Sequence, residues 1–100
     1  MNSDQQGKMV RLKALLLELS VEFRPVVLSS GQPSDIYVDC KQTALNAEGA
    51  ELLGALLYEQ VLLIEARSNK TAKAIGGMSI GADPLATAVS LEARRRGRNL

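Results

Sequence analysis

Residues 72–85, with the sequence AKAIGGMSIGADPL, decide the fold class of this chain. The first four, residues 72–75, are mostly apolar and predict a short buried parallel strand. A glycine-rich turn follows. Asp83 and Pro84 then predict a helix start, because aspartate caps helix N-termini and proline suits the first helical position. A strand, a glycine turn and a helix in this order indicate an α/β fold with a parallel sheet.

Apolar periodicity around this stretch predicts three helices. They are expected over residues 8–19, 47–67 and 85–96. Asn46 is a suitable N-cap for the second helix, and Gly97 is a suitable C-terminal stop for the third. Residues 23–28 and 36–41 have strand character and are separated by a dense cluster of turn formers, which suggests a hairpin-like unit.

The composition describes an ordinary globular chain. It has 100 residues, 46% of them hydrophobic and 23% charged, and a net charge of +1, which offers no electrostatic footprint for nucleic acid. Cys40 is the only cysteine and there is no histidine, so neither an internal disulfide nor a structural zinc site is expected. No signal-peptide or membrane-spanning run is apparent, and a reduced cytoplasmic setting is the natural expectation.

The first candidate site is the glycine loop, residues 76–81. Backbone N–H groups between a strand and a helix N-terminus can converge on an anion. The loop matches neither the dinucleotide-binding spacing nor the Walker A loop. A plain tight turn between strand and helix explains the same residues, and both interpretations stay open.

The second candidate lies on the hairpin. Tyr37, Asp39 and Lys41 alternate onto one face and could orient a polar ligand, although a solvated edge strand explains the same pattern. The turn at residues 29–31 could offer hydroxyl and N–H groups to a carboxylate, or it is ordinary turn chemistry. Cys40 alternates onto the opposite, apolar face, which predicts a core residue and not a nucleophile.

Two further features have simpler interpretations. The basic run at residues 94–98 could meet phosphate or an acidic partner, but the cationic last turn of a helix is the favoured interpretation. Tyr58 lies in the middle of a predicted helix, and we expect it to pack against neighbouring apolar side chains.

Three motifs together resemble bacterial orotate phosphoribosyltransferases, which are type I phosphoribosyltransferases. The first is LSSGQPSDIYVDCK at residues 28–41, and the second is AEGA at residues 47–50 with Leu53 and Gly54. The third is IGGMSIGADPLA at residues 75–86. The order and spacing resemble the N-terminal portion of such an enzyme from the first helix to Leu100.

The resemblance implies a partial type I phosphoribosyltransferase fold in a single, incomplete domain spanning residues 1–100. Residues 8–45 would form an N-terminal helix and a β-hairpin hood, and residues 46–100 the start of a parallel sheet with flanking helices. The implied reaction joins orotate to phosphoribosyl pyrophosphate, giving orotidine monophosphate and pyrophosphate in pyrimidine biosynthesis. Mg²⁺ is the implied cofactor, and a homodimer is the implied assembly.

The resemblance also implies site residues. Those on the orotate side are Ser29, Ser30, Gly31, Tyr37 and Lys41, and those of the pyrophosphate loop are Gly76, Gly77, Met78 and Ser79. Ser29 occupies a position where many relatives carry a lysine, which weakens its expected role.

The family's basic mobile loop is not found in this sequence. Its acidic pair followed by a Thr- and Gly-rich loop is also not found, and both are expected beyond Leu100. We therefore expect no catalytic residue or metal ligand here and no activity from this chain alone. The alternatives are a non-catalytic binding or interaction module derived from the fold, and another nucleotide-binding α/β domain. The missing dinucleotide fingerprint disfavours the latter.

Overall fold

The computed structural model describes all 100 residues, with three long helices and four two-residue strands. In chain order the elements are α1 (Ser3–Leu19), β1 (Val21–Glu22), β2 (Val26–Val27), β3 (Pro33–Ser34), β4 (Tyr37–Val38), α2 (Lys41–Ala44), α3 (Ala47–Ser68) and α4 (Ser79–Arg95).

Helix α1 ends where the apolar pattern predicts but begins five residues earlier, at Ser3. The Asn2 side chain accepts a hydrogen bond from the Gln5 N–H at 2.8 Å, and the Gln5 side chain accepts one from the Asn2 N–H at 3.1 Å. This reciprocal capping box stabilises a first helical turn made of polar residues, which apolar periodicity cannot predict. At the other end, the buried Ser20 and Thr43 hydroxyls lie 2.5 Å apart and tie α1 to α2.

The hairpin is confirmed, with shorter strands than predicted. Strand β1 pairs with β4 and β2 pairs with β3, both antiparallel, so one pair is nested inside the other. The predicted strand over residues 23–28 is interrupted near Pro25, whose missing N–H cannot extend a ladder. We call residues 21–38 the hood hairpin. Residues 40 and 41 lie outside it, because the chain turns into the short helix α2, which the sequence pattern did not predict.

The prediction of a parallel strand at residues 72–75 is wrong for this structure. These residues form no strand, and both sheets of the chain are antiparallel. A parallel strand is defined by hydrogen bonds to neighbouring strands. The hood strands pair only among themselves, so residues 72–75 have no strand partner.

The predicted start of the last helix at Asp83 is also wrong, because α4 begins at Ser79 and contains Pro84. Asp83 is therefore not the N-cap. Proline removes the hydrogen bond that its N–H would make to the carbonyl of Ile80. Ile80 is exposed, so water can reach that carbonyl, and the helix continues through the proline. The predicted stop is confirmed, since Gly97 adopts φ +88° just after the helix.

Helix α3 runs from its predicted cap at Asn46 to Ser68 and forms a wall of both hydrophobic clusters. One cluster joins α1 to α3 and contains Leu12, Leu15, Leu52 and Leu56. The other joins α3 to α4 and contains Tyr58, Val89 and Ala93, which confirms the packing role expected for Tyr58. An ion pair between Arg11 and Glu48, 2.6 Å from Nε to Oε2, links α1 to the first turn of α3.

Two glycines of α3 allow backbones to approach closely. A Cβ at Gly54 would lie 2.5 Å from the carbonyl oxygen of Ala88 on α4. A Cβ at Gly49 would lie 2.1 Å from the carbonyl oxygen of Thr43 on α2. Both obstacles are backbone atoms that cannot rotate away, so the helix contacts at these positions require glycine.

We expect Gly54→Ala to lower the free energy of unfolding by about 1–3 kcal/mol, the usual cost of overpacking a close contact. The matched control is Gly81→Ala on α4, where a Cβ would meet open space. That change should raise stability by up to about 1 kcal/mol, because alanine favours helix over glycine. Urea unfolding followed by circular dichroism measures both, and a Gly54→Ala protein as stable as wild type would contradict the contact.

Candidate functional site

The Arg98 clip, made of Glu65, Ala72 and Arg98, fixes the chain just before the glycine loop. Arg98 donates two hydrogen bonds to the Glu65 carboxylate, at 2.9 and 2.6 Å. Both groups also reach the backbone of Ala72. Its N–H donates to Glu65 at 2.6 Å, and its carbonyl accepts from Arg98 at 2.9 Å. The Glu65 carboxylate and the Arg98 guanidinium thus make the hydrogen bonds to the Ala72 backbone that neighbouring strands would make in a sheet.

The end of α4 explains why Arg98 points back toward α3. The Gly97 N–H donates to the Arg94 carbonyl and the Arg98 N–H donates to the Ala93 carbonyl, at 3.0 and 2.9 Å. These two bonds form a Schellman motif, in which a residue in the left-handed region reverses the chain. Gly97, with φ +88°, supplies that residue.

The clip has a clear electrostatic consequence. Hydrogen bonds from Arg98 and then from the Ala72 N–H lower the pKa of Glu65 to about 2, against an ordinary value of 4.5. The same contact, led by the hydrogen bond to Glu65, raises the pKa of Arg98. Both groups are therefore ionised throughout the neutral range.

Arg95 and Arg96 of the basic run also have acidic partners, which agrees with the favoured structural interpretation. Arg96 pairs with Glu59 at 2.7 Å and with Glu92 at 2.9 Å, and its guanidinium lies 5.0 Å from the centre of the Tyr58 ring. Arg95 pairs with Glu92 as well. Burial opposes the charge on Glu92, but the hydrogen bonds from Arg95 and Arg96 prevail and the pKa of Glu92 is lowered. Both arginines stabilise the end of α4 through Glu92, and Arg96 also links α4 to Glu59 on α3.

The pyrophosphate-loop candidates Gly76, Gly77, Met78 and Ser79 are all exposed at the start of α4. Met78 is the N-cap residue and makes no side-chain capping bond, so no cap occupies the first N–H groups of the helix. Ser79 has φ +54°, a conformation that few non-glycine residues adopt. A Cβ at Gly77 would lie 2.5 Å from the Cβ of Ala82, so glycine lets the loop fold closely over the helix.

The orotate-side candidates Ser29, Ser30 and Gly31 form the three-residue tip of the hood hairpin. The Gly31 N–H donates to the Leu28 carbonyl at 2.8 Å, and the Leu28 N–H donates to the Gln32 carbonyl at 2.9 Å. With Gly31 at φ +87°, this is a turn closed by a glycine bulge, a common three-residue hairpin connection. Both serine side chains are exposed beside the turn.

The predicted polar face of Tyr37, Asp39 and Lys41 is only partly formed. Tyr37 lies in β4, and the Arg24 guanidinium sits 5.2 Å from the centre of its ring. Lys41 begins α2 and is not in the strand, and its Nζ lies 3.5 Å from Asp39. The Asp39 carboxylate accepts hydrogen bonds from the Gln42 side chain and the Lys41 N–H, both at 3.2 Å, and its pKa is lowered, chiefly by the Gln42 bond.

The core position predicted for Cys40 is wrong, because Cys40 is exposed. Strand alternation places side chains only while the strand continues. Here β4 ends at Val38 and α2 begins at Lys41, so alternation no longer applies at Cys40.

The structure therefore presents two separate groups of candidate residues. No hydrogen bond or ion pair joins the hood hairpin to the glycine loop. Sequence reasoning missed Glu65 and Arg98, which hold the approach to the loop. Gly97 was the one local signal for the position of Arg98, because a glycine after a helix reverses the chain at the next residue. Nothing in the sequence identifies Glu65 as the partner of Arg98.

No group of three or more acidic, cysteine or histidine side chains is arranged to bind a metal ion. None of the helices combines the length and the apolar character needed to cross a membrane.

Comparison with known proteins confirms the resemblance. The chain is 46% identical over 90 residues to the orotate phosphoribosyltransferase of Sorangium cellulosum, covering 90% of this chain and 44% of that protein. It is 38% identical over 88 residues to the Corynebacterium glutamicum enzyme, covering 88% of this chain and 45% of the relative. No family model matches the chain.

Solved structures agree with the sequence relatives. Orotate phosphoribosyltransferase of Mycobacterium tuberculosis, solved with inorganic phosphate, superposes with a TM-score of 0.69 at 33% identity. The match covers 84% of this chain and 46% of that one. A phosphoribosyltransferase of Corynebacterium diphtheriae gives 0.62 at 34% identity, covering 83% and 42% of the two chains.

The fold is thus a partial phosphoribosyltransferase fold. More narrowly, the chain is a relative of the orotate phosphoribosyltransferases, and it spans under half the length of those it matches.

The clip predicts how stability depends on acidity. Because the pKa of Glu65 is lower when folded, its contribution is complete above pH 4.5 and is lost as the pH falls toward 2. The side chain introduced by Glu65→Gln cannot ionise. We therefore expect the stability of this variant to fall less steeply over this pH interval than that of wild type. Urea unfolding at several pH values between about 5 and 2 measures the slopes.

The matched control is Glu51→Gln, an exposed glutamate of the same helix that pairs with no arginine. It should keep the wild-type slope. Identical slopes for all three proteins would show that the clip adds no acid-sensitive stability.

Proposed function

We propose that this chain supplies the orotate-binding hood and the pyrophosphate-side loop of an orotate phosphoribosyltransferase. One observation carries the proposal: three motifs of the family occur in order on a backbone that superposes on a solved enzyme of that name with a TM-score of 0.69 at 34% identity. All the relatives described above are enzymes, which favours this function over a non-catalytic interaction module. The reaction would join orotate to phosphoribosyl pyrophosphate and release pyrophosphate.

The proposed roles follow from what each group presents. Ser29, Ser30 and Gly31 would offer hydroxyl and N–H groups to orotate, which is an anion, and Lys41 would add a positive charge. Tyr37, held beneath Arg24, would provide a flat surface for a planar ring. These groups position a substrate and compensate its charge, and none of them is placed to form a covalent bond with it.

The glycine loop would receive the pyrophosphate side of the donor. Its support is the uncapped N-terminus of α4, where N–H groups and the helix dipole both favour negative charge. The phosphate-bound Mycobacterium tuberculosis relative makes inorganic phosphate a natural probe. Gly76, Gly77, Met78 and Ser79 would act through their backbone, which tolerates variation at Met78.

The residues of this chain do not fit a magnesium site of their own. Mg²⁺ requires several oxygen ligands in octahedral geometry, and no three acidic side chains are grouped so that they could supply them. The carboxylates of Glu59, Glu65 and Glu92 are also engaged by arginines. The proposal therefore assigns no magnesium ligand to this chain, although Mg²⁺ remains the family's expected companion of the donor. Division into a hood (residues 8–45) and the start of a core (46–100), a homodimer and a cytoplasmic setting belong to the same proposal and rest on the resemblance.

The direct test is calorimetric titration of the purified chain with orotate, combined with an assay for orotidine monophosphate. We expect binding without turnover, because no acidic pair followed by a Thr- and Gly-rich loop occurs in these residues. Lys41→Ala should weaken orotate binding about tenfold, corresponding to about 1.4 kcal/mol. Lys13→Ala, an exposed lysine on α1, should leave binding unchanged. Orotidine monophosphate formed by the pure chain would refute the expected lack of turnover. Failure to bind orotate would refute the proposed role of the hood hairpin.

The loop has its own test with inorganic phosphate. Gly77→Ala forces the loop away from Ala82, so we expect it to weaken phosphate binding about tenfold. Gly76→Ala is the matched control, because its Cβ would meet open space. Calorimetry or phosphate-induced shifts in nuclear magnetic resonance spectra measure the difference. A phosphate affinity of Gly77→Ala equal to that of wild type would mean that the loop does not hold the anion.

A further inference from the structure

The Arg24 side chain lies over the aromatic ring that the hood hairpin would offer to a substrate. Glu22 and Tyr37 are direct partners in the antiparallel pair of β1 and β4, so their side chains lie on the same face of the hairpin. Arg24 contacts both of them from two residues beyond Glu22. Its Nε donates to the Glu22 carboxylate, and its guanidinium carbon lies 5.2 Å from the centre of the Tyr37 ring, within the range of a cation–π contact.

The contact with Glu22 leaves one edge of the Arg24 guanidinium free. Only Nε is engaged, and neither Nη group donates a hydrogen bond to any part of the chain. Two neighbouring N–H groups of a guanidinium match the two oxygens of a carboxylate, which is why arginine binds carboxylates in a bidentate way. Glu22 therefore holds the guanidinium over Tyr37 while the Nη edge stays open to a second carboxylate.

Arg24 is the one cationic residue of the hood hairpin, residues 21–38. Lys41, the other cation proposed for orotate, lies outside the hairpin at the start of α2, and its Nζ lies 3.5 Å from the Asp39 carboxylate. The Tyr37 ring is 40% exposed. A positive charge thus stands at the ring face itself, where a planar ligand would stack.

We infer that Arg24 determines the specificity of the hood hairpin for planar rings that carry a carboxylate. Without a ligand, the guanidinium covers one face of the Tyr37 ring. A ring that stacks on this face displaces the guanidinium and removes its cation–π contact. A carboxylate on the ligand pairs with the Nη edge and compensates this loss, whereas a neutral ring offers no such partner. The choice of orotate as the ligand rests on the proposed function.

Specificity of this kind is a difference between two affinities, so the test compares two ligands that differ in the carboxylate. Orotate and uracil share the same pyrimidine ring, and uracil lacks the carboxylate. Calorimetric titration of the full chain with each ligand measures both affinities. We expect wild type to bind orotate at least about tenfold more tightly than uracil.

Substitutions of Arg24 separate its charge from its shape. Arg24→Gln removes both the charge and the Nη edge, so orotate binding should weaken about tenfold while uracil binding does not weaken. Arg24→Lys keeps the charge but lacks the planar fork, so it should recover only part of the lost orotate affinity. Arg67→Gln is the matched control, because Arg67 is exposed at the end of α3 and forms no ion pair. It should change neither affinity.

Nuclear magnetic resonance tests the stacking directly. In the chain without ligand, the ring protons of Tyr37 should shift in Arg24→Gln and not in Arg67→Gln. Orotate added to wild type should shift the side-chain N–H resonances of Arg24. Circular dichroism of each variant confirms that it remains folded.

The outcomes separate the role of Arg24 from the proposed function. Equal orotate affinities in wild type and Arg24→Gln overturn the inference and leave the proposed function standing. Orotate and uracil weakened by the same factor also overturn it, because a merely structural role lowers both affinities without changing their ratio. Full orotate affinity in Arg24→Lys overturns pairing through the Nη edge, and unshifted Tyr37 protons overturn the stacking. A wild-type chain that does not bind orotate overturns both the inference and the proposed role of the hood hairpin.

Discussion

The close contact between Gly54 and Ala88 is the constraint on which the rest of the structure depends. It brings the backbones of α3 and α4 together, so that Tyr58 can pack on Val89 and Ala93. The opposite face of α3 meanwhile packs on α1. One helix therefore serves two small hydrophobic clusters, and neither cluster would survive a shift of α3. The cationic end of α4 adds a second link between these helices, because Arg96 forms an ion pair with Glu59 across the same interface.

That helix pair determines where the glycine loop lies. With α4 fixed against α3, the Schellman motif at Gly97 brings Arg98 to Glu65, and the two side chains hold Ala72. The approach to the loop is thus set by residues far from it in sequence. The hood hairpin is positioned independently, through Ser20 and Thr43 at the end of α1. Two candidate substrate regions with separate supports can be altered one at a time by mutation.

Local signals predicted the parts of the fold that depend on local physics. The three long helices followed from apolar spacing, and Asn46 and Gly97 marked the start of α3 and the end of α4, as caps do elsewhere. The strand at residues 72–75 could not be judged this way, because a strand requires partners that a single segment does not reveal. The helix start predicted at Asp83 and Pro84 was wrong for a related reason. A helix can contain Pro84 because Ile80, whose carbonyl loses its hydrogen bond, is exposed, and sequence alone does not show this. The pairing of Glu65 with Arg98 spans 33 positions and has no local signature at all.

The approach to the glycine loop is restrained at both of its ends, and this bears on how the loop could bind an anion. A loop whose backbone is unpaired must lose conformational freedom before its N–H groups can hold an anion. The clip removes part of that freedom at Ala72, and Gly77 resting on Ala82 removes more at the other end.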